Sequence, residues 1–152
     1  MTKVTRREMV VGAAAVMATG VAQSQTSAAN QASGDLSGGA KVFAMDAIAE
    51  VKQASGAQRK NVFDGRLTTG EAISSHLSAA PAGTSAAPAH KIAHSEFIVV
   101  MEGTMEFVHD GKRDIAKAGD VIYVAYGTNH QVRNAGNGVA RYLVFQMGGD
   151  TK

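Results

Sequence analysis

From residue 96 onward the chain is a series of short β-prone runs, each closed by a glycine or Asx turn, and that punctuation restricts the fold more than any other feature. Residues 96–101 (EFIVVM) end at Glu102-Gly103. Residues 104–108 then turn at Asp110-Gly111, a dipeptide that tolerates positive φ and so suits a tight hairpin. Lys117-Ala118-Gly119-Asp120 precedes residues 121–126, and residues 131–134 and 139–147 are divided by Ala135-Gly136-Asn137-Gly138. Short strands at this spacing predict an all-β sandwich or barrel. Residues 70–78 predict a further strand, with Ala72, Ser74 and His76 on one side and Ile73, Ser75 and Leu77 on the other. Residues 79–89 read as a loop containing both prolines, Pro81 and Pro88. Residues 46–53 are expected to form a short helix capped by Asp46, with Ile48 and Val51 on one face.

The N-terminus is set apart from this pattern. Lys3, Arg6 and Arg7 precede an uncharged stretch, residues 9–22, that ends in small residues. That is the layout of a cleaved export signal, and the stretch is too short and too weakly apolar for a membrane span. The arginine pair ahead of the apolar run resembles a twin-arginine signal, which implies export of a folded domain to the periplasm or beyond. Residues 23–40 are rich in Ser, Ala, Gln and Gly and read as a disordered tether, leaving residues 41–152 as one domain. The whole chain has 15 basic and 13 acidic side chains. Residues 1–22 hold Lys3, Arg6, Arg7 and Glu8, so the remainder is formally neutral and the pI near 9.0 belongs to the leader. No basic run points to nucleic acid, and no stable membrane insertion is expected once the leader is removed. The chain has no cysteine, which excludes disulfides, thiolate metal sites and a Cys nucleophile.

Two groups of residues carry chemistry. His90, His94 and Glu96 fall within seven residues, and His130 follows the glycine-bearing corner Tyr126-Gly127-Thr128-Asn129. Imidazole nitrogen with carboxylate oxygen is a ligand set for a divalent transition metal, whereas Ca²⁺ would want more carboxylates.

These residues resemble the cupin family. Its first motif is written G(X)5HXH(X)3-4E(X)6G and its second G(X)5PXG(X)2H(X)3N. His90, Glu96 and Gly103 keep the intervals of the first; Gly119, Gly127, His130 and Asn134 keep those of the second. The wording HKIAHSEFIVVMEGTMEF is similar to small bacterial cupins. The resemblance implies a cupin jelly-roll β-barrel, a homodimer and a small-molecule ligand. It also implies a metal site of His90, Glu96 and His130 holding Fe, Mn, Ni or Zn. Three positions depart: Ile92 replaces the second histidine, Ala125 replaces the proline, and Gly83 lies one residue too far from His90. Three outcomes follow from Ile92. A two-His, one-carboxylate triad remains; or His94, which shares strand parity with His90 and Glu96, substitutes; or the site holds no metal.

The other histidines have plainer readings. His76 is taken as a surface or core residue and His109 as a solvated hairpin residue, while His94 stands evenly between turn residue and spare ligand. Gly103, Gly119 and Gly127 are read as turn glycines and Asn134 as structural. Ile98, Val100, Val121, Tyr123, Leu143 and Phe145 are the expected strand core. Two functions are compatible with these residues: metal-dependent dioxygenase- or isomerase-like turnover of a small oxygenated molecule, with Glu96 as general base if it does not ligate, or a non-catalytic binding barrel.

Overall fold

The structure is a computed structural model and describes Leu36 and residues 39–149. The leader expected over residues 1–22 lies outside the described residues, as does the tether over 23–40 except for Leu36, Gly39 and Ala40. Ten strands are present: β1 (Val51–Lys52), β2 (Gln58–Arg66), β3 (Ala72–Ala80), β4 (His90–Lys91), β5 (Ser95–Glu102), β6 (Thr104–His109), β7 (Lys112–Lys117), β8 (Val121–Val124), β9 (Asn129–Asn134) and β10 (Ala140–Met147). They form two sheets, ordered β1-β2-β3-β10-β5-β8 and β4-β9-β6-β7, with every pairing antiparallel. One core joins them: Ile98, Val100, Val124 and Tyr142 from the larger sheet meet Met105 and Phe107 from the smaller. This is the expected all-β jelly-roll barrel.

The turn chemistry does what the sequence predicts. Asp110 (φ 45) and Gly111 (φ 76) both take positive φ and place His109 opposite Lys112 in the β6–β7 hairpin. At the β5–β6 corner, Gly103 (φ 83) lets the chain cross between sheets; a Cβ there would lie 2.9 Å from the Ala140 Cβ.

Two expectations fail, and one strand has no counterpart in the sequence reading. The helix over residues 46–53 is absent; its end, Val51-Lys52, instead pairs with Gln58 and Arg59. A segment that short pays the cost of nucleating a helix for very few hydrogen bonds, so cross-strand pairing prevails. Strand β2 was not foreseen, because Arg59 and Asn61 interrupt any apolar alternation and a bulge between Asn61 and Phe63 shifts its period. Four of the six expected core residues also face the other way. Val121 and Tyr123 are exposed and Leu143 and Phe145 half-buried, while Ile122, Val124, Tyr142 and Val144 fill the core with Ile98 and Val100. Side chains alternate with a period of two, so a reading one residue out of register inverts the face.

Candidate functional site

The inner face of the larger sheet is built in rows. Pairing sets Arg59 beside Ser78 and Ser78 beside Tyr142. The next row is His76, Val144 and Ile98, and the third is Ser74, Gln146 and Glu96. Alternation along β3, β10 and β5 turns all of these toward the barrel interior. Facing them, β4 and β9 place His90 directly opposite His130, with ring centroids 4.9 Å apart. The space between is a cavity of about 120 Å³, bordered at its mouth by Ser85, Ala86 and Ala87.

Glu96 is the centre of the polar contacts. Its Oε1 accepts from His94 Nε2 at 2.9 Å and from Gln146 Nε2 at 2.9 Å, and its Oε2 lies 3.3 Å from His130 Nε2. The Ser74 hydroxyl donates to Gln146 Oε1 at 2.8 Å, which turns the amide so that its NH2 faces the carboxylate. Burial alone would push the Glu96 pKa up. Hydrogen bonds from His130, Gln146 and His94 outweigh it and hold the group at about 2. Glu96 is therefore an anion at neutral pH, with its oxygens held toward His94, Gln146 and His130.

Of the sequence-predicted site residues, His90, Glu96 and His130 line this one cavity. His90 is exposed, and its Nδ1 lies 2.9 Å from the Pro88 carbonyl. A carbonyl only accepts, so Nδ1 carries the proton and Nε2 keeps its lone pair, the tautomer that suits a metal ligand. His94, just ahead of β5, is buried against Glu96. Ile92 packs in the core, its N–H donating to the Thr128 carbonyl at 3.3 Å and its carbonyl accepting from Gly127 at 3.0 Å. Gly119 N–H donates to the Val100 carbonyl at 2.8 Å. Asn134, fully buried, donates from Nδ2 to the carbonyls of Ala80 (2.8 Å) and Gly138 (2.6 Å) and accepts from Gly136 N–H (2.8 Å). His109 stacks on Phe107 with centroids 4.4 Å apart and lies 2.8 Å from Asp114 Oδ2, outside the cavity.

Whether these donors suit a metal is a matter of chemistry and spacing. Two ligands each about 2.1 Å from one ion stand roughly 3 Å apart, and the Glu96–His130 separation of 3.3 Å fits that requirement. The imidazole and carboxylate set also fits a divalent transition metal. Among the described residues, no three such groups already converge on a common point, because the His90 ring is turned to Pro88 and the others close on Glu96.

Sequence reasoning missed the opposite wall: Arg59, His76, Tyr142 and Gln146. His76 is buried and its Nδ1 has no partner among the described residues. Desolvation, helped by Arg59, lowers its pKa to about 3, so it is neutral in the fold. Burial likewise pushes Arg59 down and Tyr142 up. The available signal was the polar alternation Ser74-His76-Ser78 within a strand; what the sequence lacked was which side of that strand faces inward.

Residues 76–146 match the family model for the Cupin domain. No curated protein matches the chain. Among solved structures, a predicted oxalate decarboxylase of Thermotoga maritima superposes with a TM-score of 0.58 at 20% identity, covering 70% of this chain and 98% of that one. An RmlC-like cupin of Shewanella frigidimarina gives 0.61 at 15% identity, over 74% and 95%. The polyketide cyclase RemF of Streptomyces resistomycificus gives 0.57 at 17% identity, over 72% and 80%. At these identities the likeness is one of fold.

Proposed function

We propose, from the premise that residues 76–146 form a cupin domain, that this protein is an exported barrel that binds one divalent transition metal at its mouth and acts on a small oxygenated molecule. His90, Glu96 and His130 are the ligands, with His94 as a substitute, and iron, manganese, nickel or zinc suits that set. The observation that carries the reading is that β4, β5 and β9 bring those three side chains to one cavity, with Glu96 Oε2 and His130 Nε2 3.3 Å apart. A metal bound there supplies Lewis acidity toward a carbonyl or enolate oxygen, as dioxygenase- or isomerase-type turnover requires. The chain's own residues hold the Glu96 charge in place through Gln146 and His94, fix the His90 tautomer through Pro88, and line the interior with Ile98 and Val144 to exclude water. Export by the twin-arginine route, suggested by Arg6-Arg7, and assembly as a homodimer belong to the same reading.

Elemental analysis of protein exported from its own host tests it, beside the His130→Ala form. Near-stoichiometric metal that the variant loses is the expected result; background metal in both overturns it. A second reading, a metal-free ligand-binding barrel, is favoured by one observation: Glu96 already has His94, Gln146 and His130 around it, so its charge is matched without an ion.

A further inference from the structure

We propose that the cavity takes a small organic carboxylate, received by the Arg59 guanidinium on the wall opposite the histidines. This rests on the reading that the barrel holds a small molecule, but not on the metal. Arg59 lines the cavity from β2, half-buried, in the row it shares with Ser78 and Tyr142. Its Nε donates to Asn61 Oδ1 at 2.7 Å, which orients the planar group. Among the described residues no carboxylate forms an ion pair with it. The Glu96 charge acts on Arg59 but does not offset its burial, and a guanidinium fork offers two parallel N–H donors that match a carboxylate placed between them.

A second observation points the same way. On the neighbouring strand His76 lines the same cavity, is more than nine-tenths buried, and its Nδ1 has no partner among the described residues. Buried polar atoms in native folds are nearly always satisfied, so this side of the cavity has hydrogen-bonding capacity that the described residues do not use. The buried Tyr142, in the same row as Arg59, adds a phenol to that wall. Glu96 does not oppose an anion as strongly as its charge suggests, because Gln146, His94 and His130 surround its oxygens. The volume, about 120 Å³, limits the guest. An apolar cavity of roughly 150 Å³ accommodates benzene, so an acid of about six heavy atoms is the scale.

The test uses purified full-length protein stripped of metal by chelation, titrated with acetate, malonate and succinate and with the corresponding neutral amides. The expected result is binding and a raised melting temperature with at least one acid and none with its amide. Arg59→Gln should weaken that affinity at least about tenfold, and Arg59→Lys, which keeps the charge but loses the fork, should fall between. The exposed pair member Arg141→Gln should leave it unchanged. Equal response to acid and amide, no response to any acid, or undiminished affinity in Arg59→Lys and Arg59→Gln would overturn the inference. Acid binding by metal-free protein whose exported form carries no metal would overturn only the metal centre. Metal present with no acid binding would overturn only the carboxylate site.

Discussion

The two walls of the cavity solve the same problem differently. On the β4–β5–β9 side, the buried carboxylate of Glu96 is matched by His94 and His130 and by the Gln146 amide reaching it from β10. On the β2–β3–β10 side, Arg59 forms no ion pair among the described residues, although the Glu96 charge acts on it, and His76 keeps a buried nitrogen with no partner among them. Each wall keeps one buried imidazole nitrogen without a partner among the described residues, His130 Nδ1 on the first and His76 Nδ1 on the second, so the walls differ in charge: the first matches its ion with hydrogen bonds, while the second holds a cation in no ion pair.

The largest effect expected to sharpen this contrast comes from Glu96→Leu. It strands two buried histidine nitrogens and the half-buried Gln146 amide around an apolar side chain and should cost about 3–4 kcal/mol in urea unfolding. A loss below about 1 kcal/mol would break the comparison, since the hydrogen bonds would then not be matching the ion. Next in size is acid sensitivity. His76 is held near 3, against 6.5 in the unfolded chain. Between pH 6.5 and 4.5 the unfolded state binds a proton that the folded state refuses, so stability falls as pH falls, by about 2 kcal/mol over that window. Denaturant midpoints measured across it should lose most of this slope in His76→Leu. At pH 7 the same variant should be within about 1 kcal/mol of the parent, because an apolar replacement removes the orphan nitrogen along with its desolvation cost. A loss of several kcal/mol there would show that His76 already has a stabilising partner. The smallest effect is His90→Ala, an exposed side chain whose removal should change stability by less than about 0.5 kcal/mol while abolishing metal retention.

The difference between the walls is also a difference in legibility. His90, Glu96 and His130 stand at fixed intervals around glycine turns, and such intervals survive in a one-dimensional string. Asp110-Gly111 and Gly103 were readable because positive φ restricts residue choice locally. Arg59, Tyr142 and Gln146 are brought together by pairing between strands far apart in the chain, which leaves no spacing to detect. The face of β8 was misread for a related reason: Val121, Ile122, Tyr123 and Val124 are all β-prone, so composition does not say which alternate pair is inside. The polar inner face of β3 hid itself further, because a strand that lines a cavity departs from the apolar-in rule used to orient strands.

Asn134 has a consequence for how the barrel can change over time. By binding the Ala80 and Gly138 carbonyls it clamps the roots of two loops, and Thr84, one residue past Gly83, is fastened to the same residue's backbone. Ser85 is tied to the carbonyls of Val132, at 2.7 Å, and of Ala87, and beyond it the segment is held through main-chain oxygens, Ala87 by Gln131 at 3.3 Å and Pro88 by His90 at 2.9 Å. Because main-chain oxygens make these bonds, side-chain substitutions over residues 86–89 can accumulate while the strands beneath stay in register. Lineages carrying such a clamp can exchange one guest for another by altering the rim, without renegotiating the fold.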